Sequence, residues 1–165
     1  MLNEIAVFGN EYASVCNLAC EAKNKLVKGF FTYKEFEDVV IKMNKNYYLT
    51  EAILDTSCVD GNPLEFAINL KKLSGPDVRI IIITPEIDDN TYDKYLRNGF
   101  YDIVFTRENE LEFIDAIKDA ITNPVKFSEV ADRIIAYKPK VEIIEIVKRR
   151  IKFVSPSKPV KIVLT

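Results

Sequence analysis

The sequence predicts an α/β protein, a doubly wound parallel sheet of five strands with helices on both faces. Three observations carry that expectation. Five short apolar runs alternate with five helical patterns over about 122 residues, and parallel strands need crossovers of that kind. The run Val78 to Thr84 (Val-Arg-Ile-Ile-Ile-Ile-Thr) is β-branched almost throughout, as in a strand covered on both faces. The run Glu51 to Asp55 is apolar inside and ends on a carboxylate, and in open α/β sheets the ligand crevice lies past the strands' carboxyl ends.

In chain order, Glu4 to Phe8 reads as the first strand, closed by Gly9-Asn10. A helix from about 11 to 26 places Tyr12, Val15, Cys16, Ala19 and Leu26 near one face, and Gly29 ends it. Phe30 to Tyr33 is a short second strand, followed by an amphipathic helix with Phe36, Val39, Val40 and Met43 on its stripe. After the central strand and the loop Thr56 to Gly61, a third helix opens with Asn62 as N-cap, Pro63 at its first position and Glu65 three residues past the cap. Ser74-Gly75-Pro76 stops it. The strand 78–84 leads to a fourth helix from about Asn90, which ends at Asn98-Gly99. Tyr101 to Phe105 is the fifth strand. Asn109 and Glu112 then start a fifth helix with Leu111, Ile114, Ile117 and Ile121 as its buried stripe, closed by Asn123-Pro124.

The charge is split along the chain. Residues 1–125 hold 13 Lys/Arg against 21 Asp/Glu, and residues 126–165 hold 10 against 4. An acidic domain, 1–124, is thus expected ahead of a basic helical extension and linker, 125–165. Within that extension Phe127, Val130, Ala131, Ile134 and Ile135 mark an amphipathic helix ended by Lys138-Pro139. Residues 141–154 read as a second helix, with a strand as the alternative because Val-Glu-Ile-Ile-Glu-Ile-Val is β-branched. Ser155 to Pro159 has linker composition and Val160 to Thr165 reads as the start of another strand, so the chain is expected to continue into a further domain.

Composition removes several chemistries. The chain has no histidine and three cysteines, Cys16, Cys20 and Cys58, without a CxxC pair. Cys/His zinc sites, Ser-His-Asp and Cys-His catalysis and imidazole acid/base work are excluded. Cys16 and Cys20, one helical turn apart, read as small apolar residues of a core stripe. There is no apolar run of membrane-spanning length and no secretory signal, so a cytoplasmic protein is expected. A Rossmann fingerprint and a P-loop are absent, and Gly9 to Ser14 is a poor flavin phosphate loop. Basic clusters beside apolar stripes can meet nucleic acid or an anionic membrane. The basic segment lacks a polar recognition helix and interleaved aromatics and reads as a linker helix that docks on its own domain or a second copy, so no nucleic-acid partner and no membrane contact are expected.

Asp55 ending strand three, Thr84 ending strand four and Gly99-Phe-Tyr-Asp102 leading into strand five resemble the receiver domain of two-component response regulators, the CheY-like, flavodoxin-like fold. The likeness covers roughly residues 3–122. It implies Asp55 in the phosphoacceptor place and Thr84 in the place of the switch hydroxyl. In that family an acidic pair after strand one holds Mg²⁺ and a lysine after strand five neutralises the phosphoryl group. This chain instead has Gly9-Asn10, with Glu11 nearby, and Thr106-Arg107. The Met-Pro step after the aspartate is missing as well. Phosphoryl transfer leans on metal and cationic side chains, and an arginine is not a geometric equivalent of lysine.

The expectation is therefore an atypical, non-enzymatic receiver that works without cofactor or phosphorylation. It would dimerise or dock a protein partner through the fourth and fifth helices or the extension. Two alternatives remain. One is a working receiver phosphorylated on Asp55, with Mg²⁺ held weakly by Asp55 and Glu11. The other is a small-molecule-binding flavodoxin-like domain using the mouth formed by Asn10, Asp55, Thr84 and Thr106. Receiver-like domains of this degenerate kind are found ahead of ParA/MinD-like ATPases in pilus-assembly proteins, and the final strand-like run is similar to the one that precedes their P-loop.

Overall fold

The side chains of the central strands alternate between two covered faces, and this alternation builds the whole fold. A computed structural model describes residues 3–9, 11–32, 34–35, 38 and 50–136. Its strands are β1 (Asn3–Phe8), β2 (Lys25–Phe31), β3 (Glu51–Asp55), β4 (Arg79–Thr84) and β5 (Ile103–Phe105). The described helices are α1 (Ala13–Ala22), α2 (Pro63–Ser74), α3 (Asp89–Arg97), α4 (Glu110–Thr122) and α5 (Phe127–Ala136). All strand pairs are parallel, in the order β2-β1-β3-β4-β5. That is the doubly wound, CheY-like arrangement the sequence predicts.

On one face Ala6, Phe8, Leu54, Ile80 and Ile82 pack with Phe66 and Leu70 of α2 and Tyr95 of α3. On the other, Ile5, Val7, Ile53, Ile81 and Ile83 pack with Val15, Cys16 and Ala19 of α1 and Phe113, Ile117 and Ile121 of α4. Fully burying a side chain of this size contributes about 1.5–3 kcal/mol, so the Ile80–Ile83 run alone is a large part of the driving force. Its β-branched residues suit strand geometry and not helix.

Local signals placed most boundaries correctly. The Asn62 side chain accepts from Leu64 N at 3.0 Å, with Pro63 in the first turn of α2. Asn109 accepts from Leu111 N and Glu112 N, opening α4. Asp88 caps α3 by accepting from Thr91 N at 3.0 Å, so the helix begins at Asp89, one residue ahead of the expected start. Gly99 takes a positive φ of 80° just past α3, where a side chain would be strained. Thr32 and Glu35 form a reciprocal capping box, with Thr32 N and Oγ1 donating to Glu35 and Glu35 N donating back.

Three expectations are corrected. The first helix ends at Ala22 and not near Leu26, because Asn24 turns left-handed at φ 54° and Lys25 and Leu26 join β2. Gly29 therefore lies inside β2, where the register skips a residue between the pairs Ile5↔Val27 and Ala6↔Gly29. A glycine at such an irregularity marks a bulge and not a helix stop. Leu111 is 73% exposed, and Phe113 takes the place it was expected to fill in the buried stripe of α4. The expected second helix lies outside the described residues except at Lys34, Glu35 and Asp38, which are helical. Everything expected of 137–165 also lies outside them.

The amino-terminal edge of the sheet is pinned by Arg79. Its Nε and one terminal nitrogen fork onto Asp102 at 2.8 Å each, and the other nitrogen reaches Glu51 at 2.9 Å. The same guanidinium donates to the carbonyl oxygens of Ala120 and Ile121 at the end of α4. Glu51 also accepts from Lys25 Nζ at 2.5 Å. Asp102 takes a further bond from Val125 N at 3.0 Å, which ties the chain after α4 to the strand edge.

The buried thiols make stability depend on alkaline pH. Burial, with its neighbour Cys20 and then Asp55, pushes the Cys16 thiol from 9.0 up to about 12. Burial likewise pushes Cys20 up to about 11. A thiol whose folded pKa is raised contributes stability that is complete below pH 9 and lost as pH climbs toward the folded value. Each costs at most about 1.4 kcal/mol per pH unit in that window. Urea melts between pH 8 and 11 should show this decline, and the Cys16→Ala/Cys20→Ala protein should show a shallower one. An equally steep decline in the double variant would contradict the assignment.

Candidate functional site

The carboxyl ends of four strands converge at one edge of the sheet, because parallel register levels them. Phe8 pairs with Leu54, Asp55 with Ile83 and Thr84 with Phe105. Gly9, Asp55, Thr84 and Thr106 are thereby brought together, and Thr106 N donates to Thr84 O at 3.0 Å. Asn10 lies outside the described residues.

Asp55 is only 2% exposed. Its Oδ1 accepts from Ser57 N at 3.0 Å and from Ser57 Oγ at 2.5 Å, and its Oδ2 accepts from Cys58 Sγ at 3.4 Å. The carboxylate thus caps the single 3₁₀ turn Thr56–Cys58 that follows β3. Three donors converge on one carboxylate, all of them from the turn that it caps. Among the described residues no lysine or arginine pairs with it.

Gly9 closes the other side. Its φ is +133°, a conformation side chains rarely adopt, and a Cβ built there would lie 2.6 Å from Asp55 Cβ and 3.1 Å from Asp55 Oδ2. The backbone after β1 therefore rests directly on the aspartate. A third wall comes from α1 and the turn before it. Tyr12 meets Phe113 edge to face at 5.1 Å, and its phenol is pushed up by burial and then by the charges of Glu11, Asp55 and Cys58. Ser57, Cys58 and Tyr12 were not foreseen as site residues. The Asp-x-Ser spacing was a signal for the first, since an aspartate side chain accepts two residues on in an Asx turn.

Among the described residues neither Glu11 nor Arg107 bonds to the carboxylate. Glu11 and Arg107 are exposed. Arg107 lines a cavity of about 250 Å³ beside β5 and α4, together with Phe105, Ala116, Asp119 and Asn123. A second cavity of about 290 Å³ lies between α2 and the turn after α3, lined by Ile68, Lys71, Lys72, Pro76, Asn98 and Phe100. Neither is lined by Asp55, Thr84 or Thr106, so the small-molecule reading draws no support from them.

The described residues do not fit Mg²⁺. Such sites use one or two carboxylates with free oxygens. Both oxygens of Asp55 already accept from the turn, Gly9 has no side chain to offer, and Glu11 faces solvent. Among the described residues no three acidic or sulfur ligands gather.

No family model matches the sequence, and no curated protein matches it. Solved structures do. A CheY-like response regulator receiver domain protein from Methanospirillum hungatei is similar over 74% of this chain and 95% of its own, at 17% identity and a TM-score of 0.57. A protein named for pilus assembly (CpaE) from Burkholderia thailandensis is similar over 74% and 100%, at 16% identity and a TM-score of 0.53. A beryllofluoride-activated NtrC4 receiver domain, solved as a dimer, is similar over 72% and 96%, at 22% identity and a TM-score of 0.50. At these identities the likeness is one of fold, and the fold is that of receiver domains.

The close approach of Gly9 to Asp55 generates a prediction. Gly9→Asp, which restores an acid next to strand one, should destabilise the protein by about 2 kcal/mol or more through backbone strain and overlap. Thermal melts read the effect. A variant as stable as the parent would show that the loop after β1 yields freely.

Proposed function

We propose that this chain is an atypical receiver domain, a regulatory protein-interaction module whose aspartate acts as a structural cap and does not accept phosphate. The observation that carries the reading is the packing of the Gly9 backbone against Asp55, while both carboxylate oxygens accept from Ser57 and Cys58. An incoming phosphoryl donor needs a free carboxylate oxygen and cations around its equatorial oxygens. Arg107 opens onto another cavity.

On this reading signalling passes through protein surfaces, α3 and α4 or the segment after them, to a partner or a second copy. The module catalyses no reaction of its own. Among the described residues no helix is long and apolar enough to cross a membrane, and we take the module to act in the cytoplasm. The likeness to a protein named for pilus assembly (CpaE) suggests pilus assembly as a setting for such a domain.

Incubation with acetyl phosphate and Mg²⁺, followed by intact mass, tests the proposal. The expected result is an unmodified mass. A phosphoryl adduct that disappears in Asp55→Ala would replace this reading with that of a working receiver.

A further inference from the structure

Asp93 on α3 is one of the few buried charged side chains, at 7% exposed, and the cation that pairs with it comes from forty residues away. Arg133 of α5 donates Nε to Asp93 Oδ1 at 2.5 Å and a terminal nitrogen to Asp89 Oδ1 at 2.8 Å. Its guanidinium lies 4.5 Å from the centroid of the Tyr92 ring, which stacks in turn on Phe105 of β5 at 6.3 Å and 27°. Residues 89, 92 and 93 share one face of α3 by helical spacing. They offer a guanidinium what it binds best, two carboxylates beside an aromatic face.

The element that delivers Arg133 is weakly held otherwise. None of the ten residues of α5 is buried, and Phe127 and Ile135 are exposed. Beyond the arginine, Phe127 approaches Tyr101 at 6.1 Å. A helix this short is marginal in water without tertiary packing, and with Val130, Ala131 and Ile134 only half-buried its hold on α3 leans on Arg133.

We propose that Asp89, Tyr92 and Asp93 form a guanidinium-binding site on α3, held in cis by Arg133, and that an arginine-bearing helix of a partner protein binds there by displacing α5. Charge complementarity selects that occupant, since the acidic unit carries the receptor and the basic segment after residue 125 carries its resident ligand. The inference stands on α3 and α5 alone and holds whether or not Asp55 accepts phosphate.

Two measurements on the full chain test it. In hydrogen exchange, Arg133→Ala should speed exchange of 127–136 by about tenfold or more while β4 stays protected, and Arg133→Lys should recover only part of the protection. A labelled peptide of residues 125–136 should bind the Arg133→Ala protein saturably, and the same peptide with lysine at the arginine position should not. Unchanged exchange in 127–136, equal acceleration of β4, no binding of the arginine peptide, or equal binding of the lysine peptide would each overturn the proposal. Self-association of Arg133→Ala with loss of peptide binding would also overturn it, by making a second copy the occupant.

Discussion

The guanidinium of Arg79 is the contact on which the rest of the sheet depends. Burial alone would weaken its charge, but hydrogen bonds and charge from Asp102 and then Glu51 outweigh that and hold it more firmly protonated than an ordinary arginine. Removing Arg79 would leave the buried Asp102 carboxylate without its cation, at a cost of up to about 3–5 kcal/mol. A lysine could not substitute, because one ammonium cannot fork onto Asp102 while reaching Glu51 and two helix-end carbonyls. The cluster joins β2, β3, β4, the approach to β5 and the end of α4. Through Asp102 and Val125 N it also aims the following helix at α3.

The two edges of the sheet divide the labour. At the amino edge, paired charges fix the strands relative to one another. At the carboxyl edge, where doubly wound folds place their ligands, Asp55 is satisfied by its own turn and covered by a glycine backbone. A fold organised to bind at one edge thus has that edge filled by local contacts. The charged chemistry left exposed to a partner is on the helices, where Arg133 meets Asp89 and Asp93.

Much of the fold was legible because its signals are local. The Ile80–Ile83 run, Asn62-Pro63 and Asn109 each act on residues within one turn or one strand, and each element appeared where they placed it. The end of α1 was misread because the left-handed turn is made by Asn24, while Gly29, the expected stop, relieves a bulge in β2. Leu111 fits the helical period but precedes the point where α4 meets the sheet, so it stays in solvent. The convergence of Gly9, Asp55, Thr84 and Thr106 followed from strand order alone. The pairings of Arg79 with Asp102 and of Arg133 with Asp93 join residues 23 and 40 apart, and no periodicity reports such partners. The contact of Gly9 with Asp55 was hidden for the same reason, since a missing acid reads as a loss and not as a packed backbone.

The most direct test of the capped aspartate is a titration of the protein with beryllofluoride and Mg²⁺, followed by the amide resonances of Gly9, Ser57, Cys58, Thr84 and Thr106. If Asp55 is a structural cap, these resonances stay in place at saturating reagent. Saturable shifts at Ser57 and Thr84 that vanish in Asp55→Asn would show that the carboxylate leaves its turn to bind a phosphoryl mimic, and the account of a closed site would be wrong.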